Sequence, residues 1–270
     1  MWTPRRAAVD DLLYSRNWAF IDAETQAKLG STTLLTAGTG LGSSIATLAA
    51  RTGFGRFILA DGDNVELSNL NRQAFFRRHI GQNKAEATAE LVRGISQDLQ
   101  VEAIPEFLTE STLPAPIRRS DIVVNTIDFD DPVFLACNRI ARECSRVVLL
   151  PINLGFGAAL YVFTPDSPTI EDVLAEEIKR GGIDAIKTAL VLRAVGPRVH
   201  PYMKAPIARF LDPGPQGWPY DPQLGIATSV AAALTVGAAV AWARGTQLRA
   251  FPDFAALDVW PCVVEPEGGR

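Results

Sequence analysis

Short aliphatic runs alternate with longer amphipathic stretches along the chain from residue 32 onward. The short runs, rich in β-branched residues, predict buried strands, and the longer stretches predict helices. The predicted strands span 32–38, 56–61 and 121–128, with others near 101, 147 and 158. The predicted helices span 42–51, 84–99 and about 132–144. This alternation favours an α/β fold with a mainly parallel sheet, helices on both faces and additional late strands.

The second half of the chain contains a long apolar run and two proline-rich stretches. Residues 226–243 form the longest apolar run, which is rich in alanine. Its 18 residues are barely long enough to cross a bilayer. Because small side chains let neighbouring elements pack close to a helix axis, we interpret this run as a buried helix. Proline crowds residues 196–222 and the tail from 261, which predicts a long loop or lid and an irregular end.

The composition and charge of the chain argue against several classes of function. The 270 residues include 26 Lys and Arg against 30 Asp and Glu, a net charge of −4 without basic stripes, so neither a nucleic-acid partner nor a membrane partner is indicated. The three cysteines include no C-x-x-C pair, which argues against a disulfide framework and structural zinc. The N-terminal residues lack an apolar run of signal-peptide length. We therefore expect a cytoplasmic protein.

A glycine-rich turn follows the first predicted strand. The run A-G-T-G-L-G-S contains Gly38, Gly40 and Gly42, which allow a tight turn and a close approach of the backbone to a phosphate. Asp61 ends the second predicted strand 23 residues after Gly38, where an acidic residue can bind ribose hydroxyls. The same features also occur as an ordinary tight turn and a solvated strand end. Together they favour a nucleotide site.

The polar loop after Asp61 carries a more specific signal. D-G-D-N-V-E-L-S-N-L-N-R-Q, at 61–73, resembles the D-x-D-x-V-x-x-S-N-L-x-R-Q signature of the ThiF/MoeB superfamily, adenylating proteins related to ubiquitin-activating enzyme. I-G-Q-N-K-A at 80–85 resembles the I-G-x-x-K-A step of that family, and N-T-I-D ending at Asp128 resembles its strand-end C-T-D. Y-S-R-N at 14–17 resembles its R-Y-x-R-Q segment. The resemblance covers roughly residues 12–165.

The resemblance implies a Rossmann-like, doubly wound fold that activates a carboxylate with ATP and Mg²⁺. The substrate in this family is usually the C-terminal glycine of a small ubiquitin-like or sulfur-carrier protein or peptide, and the products are acyl-AMP and pyrophosphate. It also implies a homodimer. The corresponding layout is an N-terminal helical segment (1–30), an ATP-binding domain (31–165), and a substrate or crossover segment with the closing helix (166–270), all in one globular unit.

The resemblance also assigns roles to individual residues. Catalytic candidates are Arg72, Lys84 and Asp128, together with Arg16, which would reach the ATP of the partner subunit. Arg72 can bind phosphate in a bidentate manner, Lys84 supplies a point charge, and Asp128 is the Mg²⁺ ligand. Asn69 would hold the phosphates and Asp61 the ribose. The remaining nucleotide-binding candidates are Gly38, Gly40, Gly42, Asp63, Asn71 and Gln73.

The chain departs from the family pattern at several points. Ala37 and Thr39 stand where the family's G-x-G-G-x-G-S turn carries glycine, and the zinc cysteines and the transfer cysteine expected within 165–222 are absent. Cys137 and Cys144 lie seven residues apart on a predicted helix, which favours packing over reactivity. Cys262 is the remaining thiol. We therefore expect no enzyme thioester, and His79 and His200 are expected to lie on the surface or in loops.

Several alternatives remain open at this point. A tRNA-modifying dehydratase of the same superfamily would also adenylate a carboxylate, although a basic C-terminal surface is lacking. An NAD-dependent oxidoreductase would use the same glycine-rich turn but has no need for Arg72 and Lys84 beside a triphosphate. A non-catalytic dimeric scaffold has no need for Asp61, Arg72, Lys84 and Asp128 together. The sequence does not identify the acyl substrate.

Overall fold

One mixed β-sheet organises the molecule. The structure is a computed structural model that describes residues 12–129, 131–182, 184–195, 201–203, 206, 209 and 222–260. The strands within these residues are Thr33–Ala37 (β1), Arg56–Ala60 (β2), Gln100–Ile104 (β3), Ile122–Asn125 (β4), Val147–Leu154 (β5), Gly157–Phe163 (β6) and Phe254–Asp258 (β7). They pair in the order β3-β2-β1-β4-β5-β6-β7.

The first five strands of the sheet are parallel, and the last two are antiparallel additions. β1 pairs with both β2 and β4, and β5 continues the parallel arrangement beside β4. β6 and β7 then run antiparallel to their neighbours. The predicted Rossmann-like, mainly parallel sheet with late strands is therefore confirmed. Because the chain order reverses between β1 and β4, a crevice opens beyond their carboxyl ends, where ligands bind in such sheets.

Helices cover both faces of the sheet. They are Ala23–Ser31 (α1), Gly40–Thr52 (α2), Lys84–Arg93 (α3), Pro114–Arg119 (α4), Val133–Glu143 (α5), Ile170–Val173 (α6), Ala175–Gly181 (α7), Asp184–Val195 (α8) and Gly225–Ala243 (α9). Short 3₁₀ turns lie at Ser15–Asn17, Leu67–Asn71, Arg77–His79 and Pro201–Met203. α4, α5 and α8 share one apolar core with the sheet, whereas α1, α2, α3 and α9 share the other.

The alanine-rich helix α9 is buried along one face only. Ala231 and Val236 lie in the core, whereas Ile226, Ser229 and Ala233 on the opposite face are exposed. Within the part of the chain that the structure describes, α9 is the one helix that is long and apolar enough to cross a membrane, and 44% of its apolar window is buried. Its packing on α2, β5 and β6 is that of a core helix with an uncovered side.

Three expectations from the sequence need correction. The helix predicted at 84–99 ends at Arg93, where glycine, a poor helix former, follows as the C-cap residue. The helix predicted at 42–51 begins at Gly40. His79 is fully buried rather than on the surface: Nδ1 accepts from the Phe76 N–H, and Nε2 lies 3.4 Å from Glu90 Oε1.

Gly38 connects β1 to the crevice in a conformation that other residues avoid. Its φ is +90°, and a Cβ built there would lie 2.6 Å from the Thr126 carbonyl oxygen. Gly38→Ala should lower the free energy of unfolding by about 2–4 kcal/mol, because it combines backbone strain with overpacking. Urea denaturation monitored by circular dichroism measures this change.

Gly81→Ala is the matched control for that substitution. Gly81 has a similar φ of +87°, but no atom of the described residues lies within 4 Å of a Cβ built there. The Gly81→Ala variant should therefore lose only about 1 kcal/mol of the free energy of unfolding, which is the contribution of backbone strain. Equal losses in the two variants would show that the close approach to Thr126 contributes nothing to stability.

Candidate functional site

A cavity of about 640 Å³ lies at the carboxyl ends of β1, β4 and β5. It occupies the crevice where the strand order reverses, so the sheet topology determines its position. Eight of the twelve candidate residues line it: Gly40, Asp61, Asp63, Asn69, Arg72, Gln73, Lys84 and Asp128. These residues come from four separate segments of the chain, which the fold brings to one cavity.

The glycine-rich turn is tied to the end of β2 by Asp61. The Thr39 N–H donates to Asp61 Oδ2 over 2.7 Å, and the Thr39 hydroxyl donates to the same oxygen over 3.2 Å. Asp61 Oδ1 accepts from the Asp63 N–H over 2.9 Å. Thr39, which replaces a glycine of the family pattern, thus supplies the bond that holds the turn against Asp61. Both carboxylate oxygens are fixed at the cavity wall.

Lys84 is held at the start of α3, beside the cavity. Asn83 caps this helix by accepting from the Ala85 and Glu86 N–H groups, and its Nδ2 donates to the Asp61 carbonyl. Lys84 Nζ lies 2.9 Å from Asp63 Oδ2; the lysine side chain is 12% exposed and the aspartate 52%. Because an ion pair with an exposed carboxylate is weak, this ammonium can exchange Asp63 for a bound anion.

The turn at Leu67–Asn71 orients the following arginine. Asn69 is buried, and its Oδ1 accepts from the Glu66 N–H over 3.0 Å. Its carbonyl accepts from the N–H groups of Arg72 and Gln73. Asn69 therefore acts through the backbone of the turn as well as lining the cavity.

The guanidinium of Arg72 is partly buried, so it is only partly hydrated. Burial lowers the pKa of the guanidinium, and the negative charge of Asp128 opposes that shift. Asp128 is exposed just beyond the end of β4 and lines the same cavity. A cation and a carboxylate thus face one space, where they can bind an anion and a metal ion together.

Two amide side chains on the cavity wall have unsatisfied acceptors. Gln73 Oε1 and Asn153 Oδ1 are both buried, and neither has a hydrogen-bond partner among the residues that the structure describes. A buried acceptor without a partner costs free energy, which a ligand carrying N–H or O–H donors would recover. Ribose hydroxyls and the adenine amino group are donors of this kind. The wall therefore suits a nucleotide rather than a purely apolar ligand.

Four candidate residues lie outside the cavity wall. Gly38 and Gly42 pack the turn and α2 against Thr126 and β1. Asn71 is exposed and donates through Nδ2 to the Gln223 carbonyl over 3.1 Å. Arg16 lies at the far end of α2 from Gly40, because its neighbours Tyr14 and Asn17 bond the carbonyls of Ala50 and Thr52. With 13 residues, α2 is roughly 20 Å long, so Arg16 does not reach the cavity of its own chain.

Comparison with known proteins identifies the family of this chain. Residues 14–261 match the ThiF family. The chain belongs to the ThiF family. It is 36% identical over 151 residues to adenylyltransferase and sulfurtransferase MOCS3-1 of Zea mays, covering 54% of this chain and 31% of that protein. It is 30% identical over 168 residues to the sulfur carrier protein ThiS adenylyltransferase of Escherichia coli K12, covering 58% and 63%. The chain thus spans less than two thirds of both relatives.

A solved structure shares the fold of this ThiF-family chain. The crystal structure of E. coli MccB with AMPCPP and MccA superposes with a TM-score of 0.65 and 19% identity, covering 91% of this chain and 68% of that one. At this identity the likeness establishes the fold. It extends beyond the motifs at 61–85, because it covers nearly the whole chain.

Several residues of the ThiF-family cavity were missed by sequence reasoning. Asn153 on β5, Lys187 on α8 and Gln223 before α9 all line it, yet none stands in a recognisable motif. Thr126 belongs to N-T-I-D and could have been found from its neighbours. Its hydroxyl donates to the carbonyls of Ala37 and Gly38 over 3.1 and 2.8 Å, which closes the crevice floor between β1 and β4.

The cysteines of this ThiF-family chain lie apart from the cavity wall as far as the structure describes them. Cys137 is fully buried in the core, where burial raises the pKa of its thiol to about 12. Cys144 is half-buried at the end of α5. Cys262, His200 and most of the proline-rich segment 196–222 lie outside the described residues. A thiol with so high a pKa is a poor nucleophile, which fits the packing role expected for Cys137.

Proposed function

We propose that this chain uses ATP to adenylate a carboxylate, forming acyl-AMP and pyrophosphate. The substrate is the C-terminus of a small ubiquitin-like or sulfur-carrier protein or peptide. The observation that carries this proposal is that Arg72, Lys84 and Asp128 line one cavity at the switch point of the sheet. The named activity of its ThiF-family relatives supports it, since one of them adenylates the sulfur carrier ThiS.

The charges at the cavity match the needs of this reaction. A carboxylate oxygen attacks the α-phosphorus, and the bond from that phosphorus to the bridging oxygen of pyrophosphate breaks. Negative charge therefore grows on the leaving pyrophosphate. Preorganised cations in a partly dehydrated site stabilise this charge without reorganisation. Arg72 and Lys84 serve this role, and the acceptors of Gln73 and Asn153 orient the nucleoside.

Asp128 fits the requirements of a Mg²⁺ ligand. Magnesium usually binds one or two protein carboxylates together with substrate phosphates and water, so a cage of protein ligands is not required. Asp128 offers an exposed carboxylate at the cavity, close enough to Arg72 to influence its pKa. When bound, the ion would neutralise phosphate charge.

We also propose that the active unit is a homodimer in which Arg16 enters the site of the partner subunit. The distance along α2 supports this, because Arg16 lies roughly 20 Å from Gly40 of its own chain. A two-fold dimer would complete both sites with the same surface. Exposed apolar side chains near Arg16, at Leu12, Trp18 and Phe20, are the kind that such contacts cover.

Calorimetric titration tests the nucleotide part of the proposal. ATP with Mg²⁺ should bind, and NAD should bind at least about tenfold more weakly, because Arg72 and Lys84 provide cations for a triphosphate. Titration of the same protein with each ligand decides between them. Tight binding of NAD without binding of ATP would favour an oxidoreductase instead.

The acyl substrate needs a second measurement. ATP–pyrophosphate exchange can be assayed with a carrier protein of the ThiS type and, separately, with tRNA. Exchange that depends on the carrier protein is the expected result. Exchange that depends only on tRNA would favour the dehydratase alternative.

A further inference from the structure

The acceptors that hold Arg72 are all uncharged within the described residues. Arg72 Nε donates to Gln223 Oε1 over 2.9 Å. Its Nη1 donates to the Ser68 carbonyl over 3.0 Å and to Asn71 Oδ1 over 2.9 Å. Carboxylates usually fill such positions around a buried guanidinium. Here amide and carbonyl oxygens fix the arginine without neutralising it.

Gln223 is itself held by contacts from two sides. Its carbonyl accepts from Asn71 Nδ2 over 3.1 Å. Asn153 Nδ2 donates to Thr228 Oγ1 over 3.1 Å and approaches Gln223 Oε1 at 3.5 Å. The start of α9 also packs tightly on the turn before Arg72, since a Cβ built on Gly225 would lie 2.7 Å from the Asn71 carbonyl oxygen. Gln223 therefore connects α9 and β5 to the arginine.

We propose that Gln223 is a positioning residue for Arg72. It fixes the Nε edge of the guanidinium through a neutral oxygen, so that Gln223 adds no negative charge that would compete with anions in the cavity. This inference rests on the proposed function, because the anion is the polyphosphate of the nucleotide. A glutamate at this position would keep the shape and the hydrogen bond but would compete with that anion for the charge.

The decisive comparison is between Gln223→Glu and Gln223→Met. The glutamate variant should bind both ATP with Mg²⁺ and inorganic pyrophosphate at least about tenfold more weakly than wild type, because one added carboxylate neutralises the guanidinium. The methionine variant keeps the charge but loses the acceptor, and should weaken binding about threefold. Calorimetry measures both ligands, and circular dichroism checks folding.

Two further variants separate this role from a structural one. Gln247→Glu places the same charge on an exposed residue beyond the other end of α9 and should bind like wild type. In an Arg72→Ala background, Gln223→Met should change pyrophosphate affinity less than about twofold, because a residue that acts through Arg72 has no effect without it. A loss in that background as large as the loss that Gln223→Met causes alone would overturn the proposal.

The remaining outcomes are equally decisive. Wild-type affinity in Gln223→Glu would overturn the proposal, as would wild-type affinity in Gln223→Met if the glutamate variant fails to fold. If wild type binds pyrophosphate but supports no exchange with any carboxylate, the proposed function fails while the Gln223 comparison is still decided by anion binding. If wild type binds neither ATP nor pyrophosphate, both proposals are wrong.

Discussion

Arg72→Ala and Asp128→Ala should each lower ATP–pyrophosphate exchange by at least about two orders of magnitude, the scale for removing one preorganised charged contact. Arg72 is half-buried and bonded only to neutral oxygens among the described residues, so its charge is available to the leaving pyrophosphate. In the proposed reaction, Asp128 would offer a carboxylate at the same cavity to the metal that accompanies the nucleotide. Exchange is measured with the carrier protein that supports it in wild type.

Exposed residues of the same types provide the controls. Arg77 lies on the neighbouring 3₁₀ turn and Asp98 after α3, both exposed and away from the cavity wall. Arg77→Ala and Asp98→Ala should keep exchange within about twofold, because surface charges away from a site contribute little. An Asp128→Ala enzyme with normal exchange would remove Asp128 from the metal site. Normal exchange in Arg72→Ala would contradict the proposed role of the arginine.

Mixing equal amounts of inactive Arg16→Ala protein and inactive Asp128→Ala protein should restore about a quarter of wild-type exchange. Each mixed dimer has one site that combines an intact Arg16 from one subunit with an intact Asp128 from the other. Random exchange of subunits makes half of the dimers mixed, and half of their sites intact. Activity is followed against time after mixing, and light scattering confirms the dimer.

A second pair of variants controls for this recovery. Arg72 and Asp128 line the same cavity of one chain, so mixing Arg72→Ala with Asp128→Ala leaves every site defective. This mixture should stay inactive. If verified subunit exchange restores no activity in the Arg16 mixture either, then Arg16 does not act across a dimer.

Much of the fold was predictable because it follows local rules. Buried parallel strands appear as continuous aliphatic runs, and the longer helices between them as amphipathic stretches, so the order of the strands from β1 to β6 follows from the sequence. The short helix α4 was missed. Errors occurred where a local signal was weak. Gly94 was taken as part of a helix that it ends. His79 was expected on the surface or in a loop, although Phe76 and Glu90 contact its two ring nitrogens inside the protein.

The residues of the candidate site were also only partly predictable from the sequence. The motif at 61–73 and the residues Lys84 and Asp128 could be identified because they match the family pattern, and the sheet topology brings the segments that carry them to one cavity. Asn153 and Gln223 had no such signal. They lie 70 residues apart in sequence and come together only when α9 packs against β5 and the turn before Arg72.

The sequence by itself therefore determined the α/β fold class, the membership of the ThiF family and eight of the residues that line the cavity. The tertiary structure alone decided how Arg72 is held, that Asn71 faces Gln223 rather than the cavity, and that Arg16 lies at the wrong end of α2 to reach its own site. The physical reason is that periodicity and motifs encode local backbone preferences and spacing along the chain. Hydrogen bonds between distant segments depend on how helices and sheet pack together, which no local pattern records.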